Sequence, residues 1–120
     1  MPELSLVLII FVIAFHIFAF FLESVVWQRP FTLRIFKNSP EDAAATRTLA
    51  LNQGVYNLFL AAGLVWGLIA SGPSGFEITI FFLSCVVIAG VVGGLSVSKR
   101  IFILQAVPAL LALTLLLLPF

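Results

Sequence analysis

Four polar side chains, Asn52, Gln53, Tyr56 and Asn57, fall within six residues of an otherwise apolar stretch. On a helix, Asn52 and Tyr56 form one i, i+4 pair and Gln53 and Asn57 another, making adjacent stripes on one broad face. Carboxamides and a phenol can orient a ligand by hydrogen bonds. The same groups can serve as interhelical glue worth about 1 kcal/mol each. Arg47 precedes the cluster and supplies a cation for an anionic group. Two ionisable residues sit in the first apolar run, His16 and Glu23, seven residues apart and so on one helical face. Such groups are costly at membrane depth and need either a partner or a function. For both, hydrogen bonding to a neighbouring helix stands beside a ligand-binding role. Gln105, one turn beyond Arg100, carries the same two readings.

The elements that must position these residues are apolar to an unusual degree. Of 120 residues, 62% are hydrophobic and 9% charged, whereas a soluble domain has about a quarter of its residues charged. Four apolar runs are long enough, or nearly so, for the ~20-residue crossing of a bilayer. They cover about 4–27, 49–70, 78–97 and 101–118. No alternation of period two appears, so the spans are expected to be helices and not barrel strands. The fold class expected is an all-α integral membrane protein, one domain of four transmembrane helices in a bundle. The acidic Met1-Pro2-Glu3 start and the long run after it read as a retained span rather than a signal peptide.

Ser39, Pro40, Glu41 and Asp42 read as a helix start, with Ser39 as N-cap and Pro40 at the first position. The second helix is therefore expected to run from Pro40 through Ala70, about 46 Å at 1.5 Å per residue, with its first turns protruding. Pro108 is expected to bend the fourth helix. Gly63 and Gly67, and Gly90, Gly93 and Gly94, allow close helix approach, either within the chain or between subunits.

All six basic residues lie in or beside the first and third connections: Arg29, Arg34, Lys37 and Arg47, then Lys99 and Arg100. The positive-inside rule puts those connections in the cytosol and both termini on the other side, with the cell (inner) membrane as the expected location. Glu23, Asn52, Gln53, Tyr56, Asn57 and Gln105 then share the cytoplasmic leaflet, rimmed by Arg47, Lys99 and Arg100. A polar pocket with a basic rim suits an amphipathic anionic ligand, with membrane lipids as neighbours. One histidine, one cysteine and few carboxylates give no metal-ligand set, and no nucleophile triad or phosphate-cradling glycine loop is present. No nucleic-acid partner and no resident cofactor is expected from these residues.

Three stretches carry a resemblance. They are His16-Ile-Phe-Ala-Phe-Phe-Leu-Glu23 with Trp27; Asn52-Gln-Gly-Val-Tyr-Asn57 with Phe59-Leu-Ala-Ala-Gly-Leu-Val-Trp-Gly67; and Ser98-Lys-Arg100 with Gln105 and Pro108-Ala-Leu-Leu-Ala-Leu. They resemble a family of small membrane proteins catalogued as a domain of unknown function, number thirteen-oh-four, over nearly the whole chain. The layout is more distantly similar to the MAPEG superfamily, membrane-associated proteins of eicosanoid and glutathione metabolism. That resemblance implies trimers of four-helix subunits with a glutathione site between subunits in the cytoplasmic leaflet. Asn52 and Tyr56 match that family's second-helix Asn and Tyr, whereas Val55 stands where it has Glu. Aligning on Gln53 instead puts Asn57 at that position.

The leading expectation is thus a MAPEG-like trimer binding a glutathione-like or amphipathic anionic ligand through His16, Glu23, Arg47, Asn52, Gln53, Tyr56, Asn57, Arg100 and Gln105. Were it a transferase or isomerase, Arg100 would stabilise a thiolate and Tyr56 or Glu23 would move a proton. The alternatives are a small proton-coupled exporter using Glu23 and a non-catalytic subunit of a membrane complex.

Overall fold

The computed structural model describes residues 2–118, and those residues contain helices and turns but no strand. In chain order the helices are α1 (Glu3–Phe20), α2 (Pro30–Phe36), α3 (Pro40–Ala45), α4 (Arg47–Ile69), α5 (Gly72–Ser96), α6 (Lys99–Ile101) and α7 (Val107–Leu117). Two π-helical turns, Phe21–Val25 and Phe102–Ala106, follow α1 and precede α7. Four continuous helical stretches are long and apolar enough to cross a membrane: Glu3–Val25, Arg47–Ile69, Gly72–Ser96 and Lys99–Leu117. Their outward residues, among them Phe11, Phe18, Phe81, Ile88 and Leu110, are large, apolar and exposed. A face of that kind is suited to lipid and not to water. The protein is a multi-pass, all-helical membrane protein.

Local sequence accounts for most helix ends. Ser39 caps α3 as expected: its Oγ accepts a hydrogen bond from the Asp42 amide at 3.0 Å, with Pro40 in the first turn. The helix expected to run unbroken from Pro40 to Ala70 is instead divided at Thr46. There the backbone opens to φ −104°, ψ 11°, and the Thr46 hydroxyl donates to the Asp42 carbonyl at 2.8 Å. Residues 71–77, left between the second and third expected spans, are mostly helix. Gly72, at φ +70°, makes the turn, and α5 starts there with Pro73 in its first turn. Pro108 falls just after the second π-helical turn, where the Val107 amide donates to the Phe102 carbonyl, five residues back. A proline lacks the donor for residue i−4 and crowds that carbonyl; the wider turn absorbs the misfit.

The chain forms two compact units, each described by itself. One comprises Met1–Phe15 and Leu60–Phe120. Its core is apolar: Ile9 and Val12 of α1, Leu64 of α4, Leu83 and Val86 of α5, and Ala109 and Ala112 of α7 are all buried. Glycines set the spacing of its helices. A Cβ at Gly63 would run into the Phe82 ring, at Gly67 into Thr79, and at Gly90 into the Ala106 backbone. The two glycine clusters therefore meet neighbours within this chain. The hydroxyls of Thr79, Ser84, Ser96 and Thr114 each donate to the carbonyl four residues earlier, at 2.7–2.8 Å. That satisfies each hydroxyl inside its own helix. Ser5 is fully buried, and its Oγ has no hydrogen-bond partner among the described residues.

The second unit is His16–Phe59. It holds the end of α1, the first π-helical turn, α2, α3 and the first half of α4. Trp27 and Phe36 pack with ring centroids 5.0 Å apart. Lys37 closes α2 in a left-handed conformation, φ 55°.

Candidate functional site

The site is built where the first apolar helix widens. At Phe21–Val25 the backbone adopts a π-helical turn, closed by the Val26 amide donating to the Phe21 carbonyl at 3.0 Å. An inserted residue of this kind re-aims the side chains around it, and such turns recur at functional sites. Here it points Leu22 and Glu23 inward, both at most 5% exposed. The chain then leaves the helix, passes through an extended Arg29 and enters α2 at Pro30.

Three hydrogen bonds fasten this segment to the following helices of the same unit. Asn57 Nδ2 donates to Glu23 Oε1 at 2.6 Å. Ser24 Oγ donates to the Leu51 carbonyl at 2.8 Å. Trp27 Nε1 donates to the Ala43 carbonyl at 3.0 Å, and Ala43 is itself fully buried. Leu51, Gly54 and Asn57 recur every third residue, which puts them along one edge of α4. Gly54 lets the segment come close, since a Cβ there would overlap the Ser24 side chain and approach its amide. Burying a carboxyl without a partner is expensive; the Asn57 carboxamide is the partner supplied.

Beside these bonds lies a pocket of about 260 Å³, lined by Glu23, Ser24, Gln28, Arg29, Arg47 and Leu51 together with Val25, Val26 and Trp27. It combines a carboxylate acceptor in the wall, a hydroxyl, a carboxamide and two guanidinium groups. Neither Arg29 nor Arg47 pairs with an acidic side chain among the described residues. No group of three or more His, Cys, Asp or Glu able to hold a metal occurs among them either.

The residues singled out from the sequence are distributed unevenly. Glu23 and Arg47 line the pocket, and Asn57 holds Glu23 from behind. Asn52, Gln53 and Tyr56 do not line it. They occupy the other side of α4 and are exposed, Tyr56 at 62% with its ring 6.4 Å from that of Phe59. The quartet spans too wide an arc for one surface: only Asn57 lies at the edge that meets the π-helical turn. His16 is fully buried and engaged by a neighbour. Arg100 and Gln105 belong to the other unit. Gln105 is buried within the second π-helical turn, Arg100 is exposed in α6, and each has a partner. Sequence reasoning missed Ser24, Gln28 and Arg29 as pocket residues and named Trp27 only within the family resemblance. Ser24 carried a faint signal, a small polar residue beside Glu23 near the end of an apolar run.

Comparison with known proteins adds kinship. The family model described as "Protein of unknown function (DUF1304)" matches residues 10–117. The chain is 28% identical over 115 residues to "Uncharacterized protein YpaA" of Lactococcus lactis subsp. lactis (strain IL1403), covering 94% of this chain and 96% of that protein. No solved structure matches it. With nearly its whole length matched, from the run holding His16 and Glu23 to the end of α7, the chain belongs to the DUF1304 family of proteins.

Proposed function

We propose that this protein binds the polar head of an amphipathic or glutathione-like ligand in the pocket beside Glu23. The observation that carries this reading is a buried carboxyl and two exposed arginines lining one cavity of about 260 Å³ at the end of an apolar helix. The arginines would take an anionic group by charge-assisted hydrogen bonds. The apolar helix surfaces beside them would accept a chain. By the positive-inside rule the pocket opens toward the cytosol in the inner membrane, with both termini on the opposite side. A MAPEG-like trimer is the assembly proposed with it: Asn52, Gln53 and Tyr56 are polar and exposed on an apolar helix, and a neighbouring subunit would give them partners. The test is thermal unfolding of the purified protein with glutathione and with anionic lipids, alongside its oligomeric mass. A raised midpoint and a trimer are expected. A dimer stabilised by neither class of ligand would overturn the proposal.

A second reading, a proton-coupled exporter, is favoured by the burial of Glu23 alone. It expects substrate-driven proton flux in liposomes that Glu23→Gln abolishes. Flux unchanged by that substitution removes it.

A further inference from the structure

The pocket holds opposite charges that the protein does not pair with one another. Glu23 Oε1 accepts from Asn57, a neutral carboxamide. Arg29 and Arg47 face the same cavity, and among the described residues neither forms an ion pair. A buried carboxyl, once ionised, calls for a compensating cation, and guanidinium groups beside an apolar surface call for an anion. A simple anion would satisfy the arginines and leave Glu23 uncompensated, or repel it. A simple cation would do the reverse.

Resting on the ligand pocket proposed above, we infer that the ligand it takes is a zwitterion: a primary ammonium against Glu23 and an anionic group against Arg29 and Arg47. The acceptors fit a primary ammonium in particular. Such a group has three N–H donors, and the Glu23 carboxyl and the Ser24 hydroxyl, both acceptors, belong to residues of the pocket lining. Ser24 Oγ spends its own hydrogen on the Leu51 carbonyl, so toward the cavity it can only accept. A quaternary ammonium has no N–H to give and is bound instead by a cage of aromatic rings. Trp27 is the one aromatic side chain in this lining, and its Nε1–H is committed to the Ala43 carbonyl. Size agrees. A cavity of about 260 Å³ has room for several waters and so for a small polar head group. Two sources carry this chemistry: the phosphoethanolamine head of a membrane lipid, and a soluble amino acid or peptide such as glutathione.

The test is a titration of the purified protein in micelles, followed by thermal unfolding, with chain-matched lyso-lipids. Lysophosphatidylethanolamine is expected to bind about tenfold or more tightly than lysophosphatidylglycerol, lysophosphatidylcholine or N-acetylated lysophosphatidylethanolamine, the scale set by truncating one partner of a desolvated charge pair. Glu23→Gln should bring the ethanolamine and glycerol lipids to equal affinity, while Arg47→Gln should weaken both. The wild-type ligand series decides the matter even where a variant fails to fold. Soluble O-phosphoethanolamine and glutathione separate the sources. Stabilisation by either at concentrations where the lipid also acts points to a soluble zwitterion, and stabilisation by the lipid alone points to the membrane; both outcomes support the inference. Equal affinity for the ethanolamine and glycerol lipids overturns the zwitterion and leaves the anionic-ligand pocket standing. Stabilisation by no lipid, phosphoethanolamine or thiol peptide overturns both.

Discussion

The two units of this protein hold themselves together in different ways. Around Leu83 and Val86 the contacts are apolar, and glycines at 63, 67 and 90 bring helices close enough for dispersion forces to act. Hydroxyls there turn back onto their own helices. In His16–Phe59 the fastening is polar: Asn57 to Glu23, Ser24 to the Leu51 carbonyl, Trp27 to the Ala43 carbonyl. Lipid tails are as apolar as leucine, so burying leucine against leucine gains packing and little transfer energy. Close fit therefore holds the apolar unit, and donor–acceptor geometry holds the polar one. In the polar unit charged side chains also face a cavity.

Each unit contains a π-helical turn, and the pair sharpens the contrast. Phe21–Val25 and Phe102–Ala106 both carry a buried polar side chain, Glu23 in one and Gln105 in the other. The second turn precedes Pro108, which alone explains it. The first has no proline inside it, and the hydrogen bonds made by Glu23 and Ser24 are what hold it.

Glycine overpacking should separate the units most strongly. Gly90→Leu drives a side chain into the Ala106 backbone, and Gly54→Leu drives one into Ser24; each should destabilise by about 1–3 kcal/mol or more. Hydrogen exchange should show lost protection in α5 and α7 for the first and in residues 21–57 for the second. Were either variant to loosen both units equally, the division would fail. Leu83→Ala should cost about 2 kcal/mol, the low end for a core leucine, because lipid weakens the transfer contribution. Its unfolding midpoint should fall while ligand stabilisation stays intact.

Asn57→Leu strips the Glu23 carboxyl of its donor and should cost about 1–2 kcal/mol. Its diagnostic is a change in Trp27 fluorescence, which Leu83→Ala should leave unaltered. Smallest of all should be the paired hydroxyls. Ser24→Ala removes a bond between segments and should cost about 0.6 kcal/mol. Thr114→Ala removes only a bond within its own helix and should stay within about 0.5 kcal/mol of zero. Equal losses at Ser24 and Thr114 in denaturant titration would erase the distinction between the two modes of fastening.

Much of this was legible beforehand. Spans long enough for a bilayer follow from run length, because a lipid solvent tolerates little polar backbone or side chain. The Ser39 cap follows from residue type, because a hydroxyl there meets an otherwise orphaned amide. Glu23 could be singled out because an acid in an apolar run is costly wherever it lies. These are local constraints, readable without knowing what lies opposite. The break at Thr46 and the π-helical turn at Phe21–Val25 were not readable, since either sequence would also satisfy a regular helix.

The polar quartet of α4 shows where local reading stops. Periodicity put Asn52, Gln53, Tyr56 and Asn57 on one broad face, yet Asn57 alone reaches Glu23, while Ser24, Gln28 and Arg29 enter the pocket instead. Sequence alone determined that this is a helical membrane protein with a carboxyl that needs company. Tertiary structure alone decided which residues keep it company. A π-helical turn resets the angular register of the side chains around it, and only the neighbouring helix, with glycine at position 54, determines which edge can come close enough to bond.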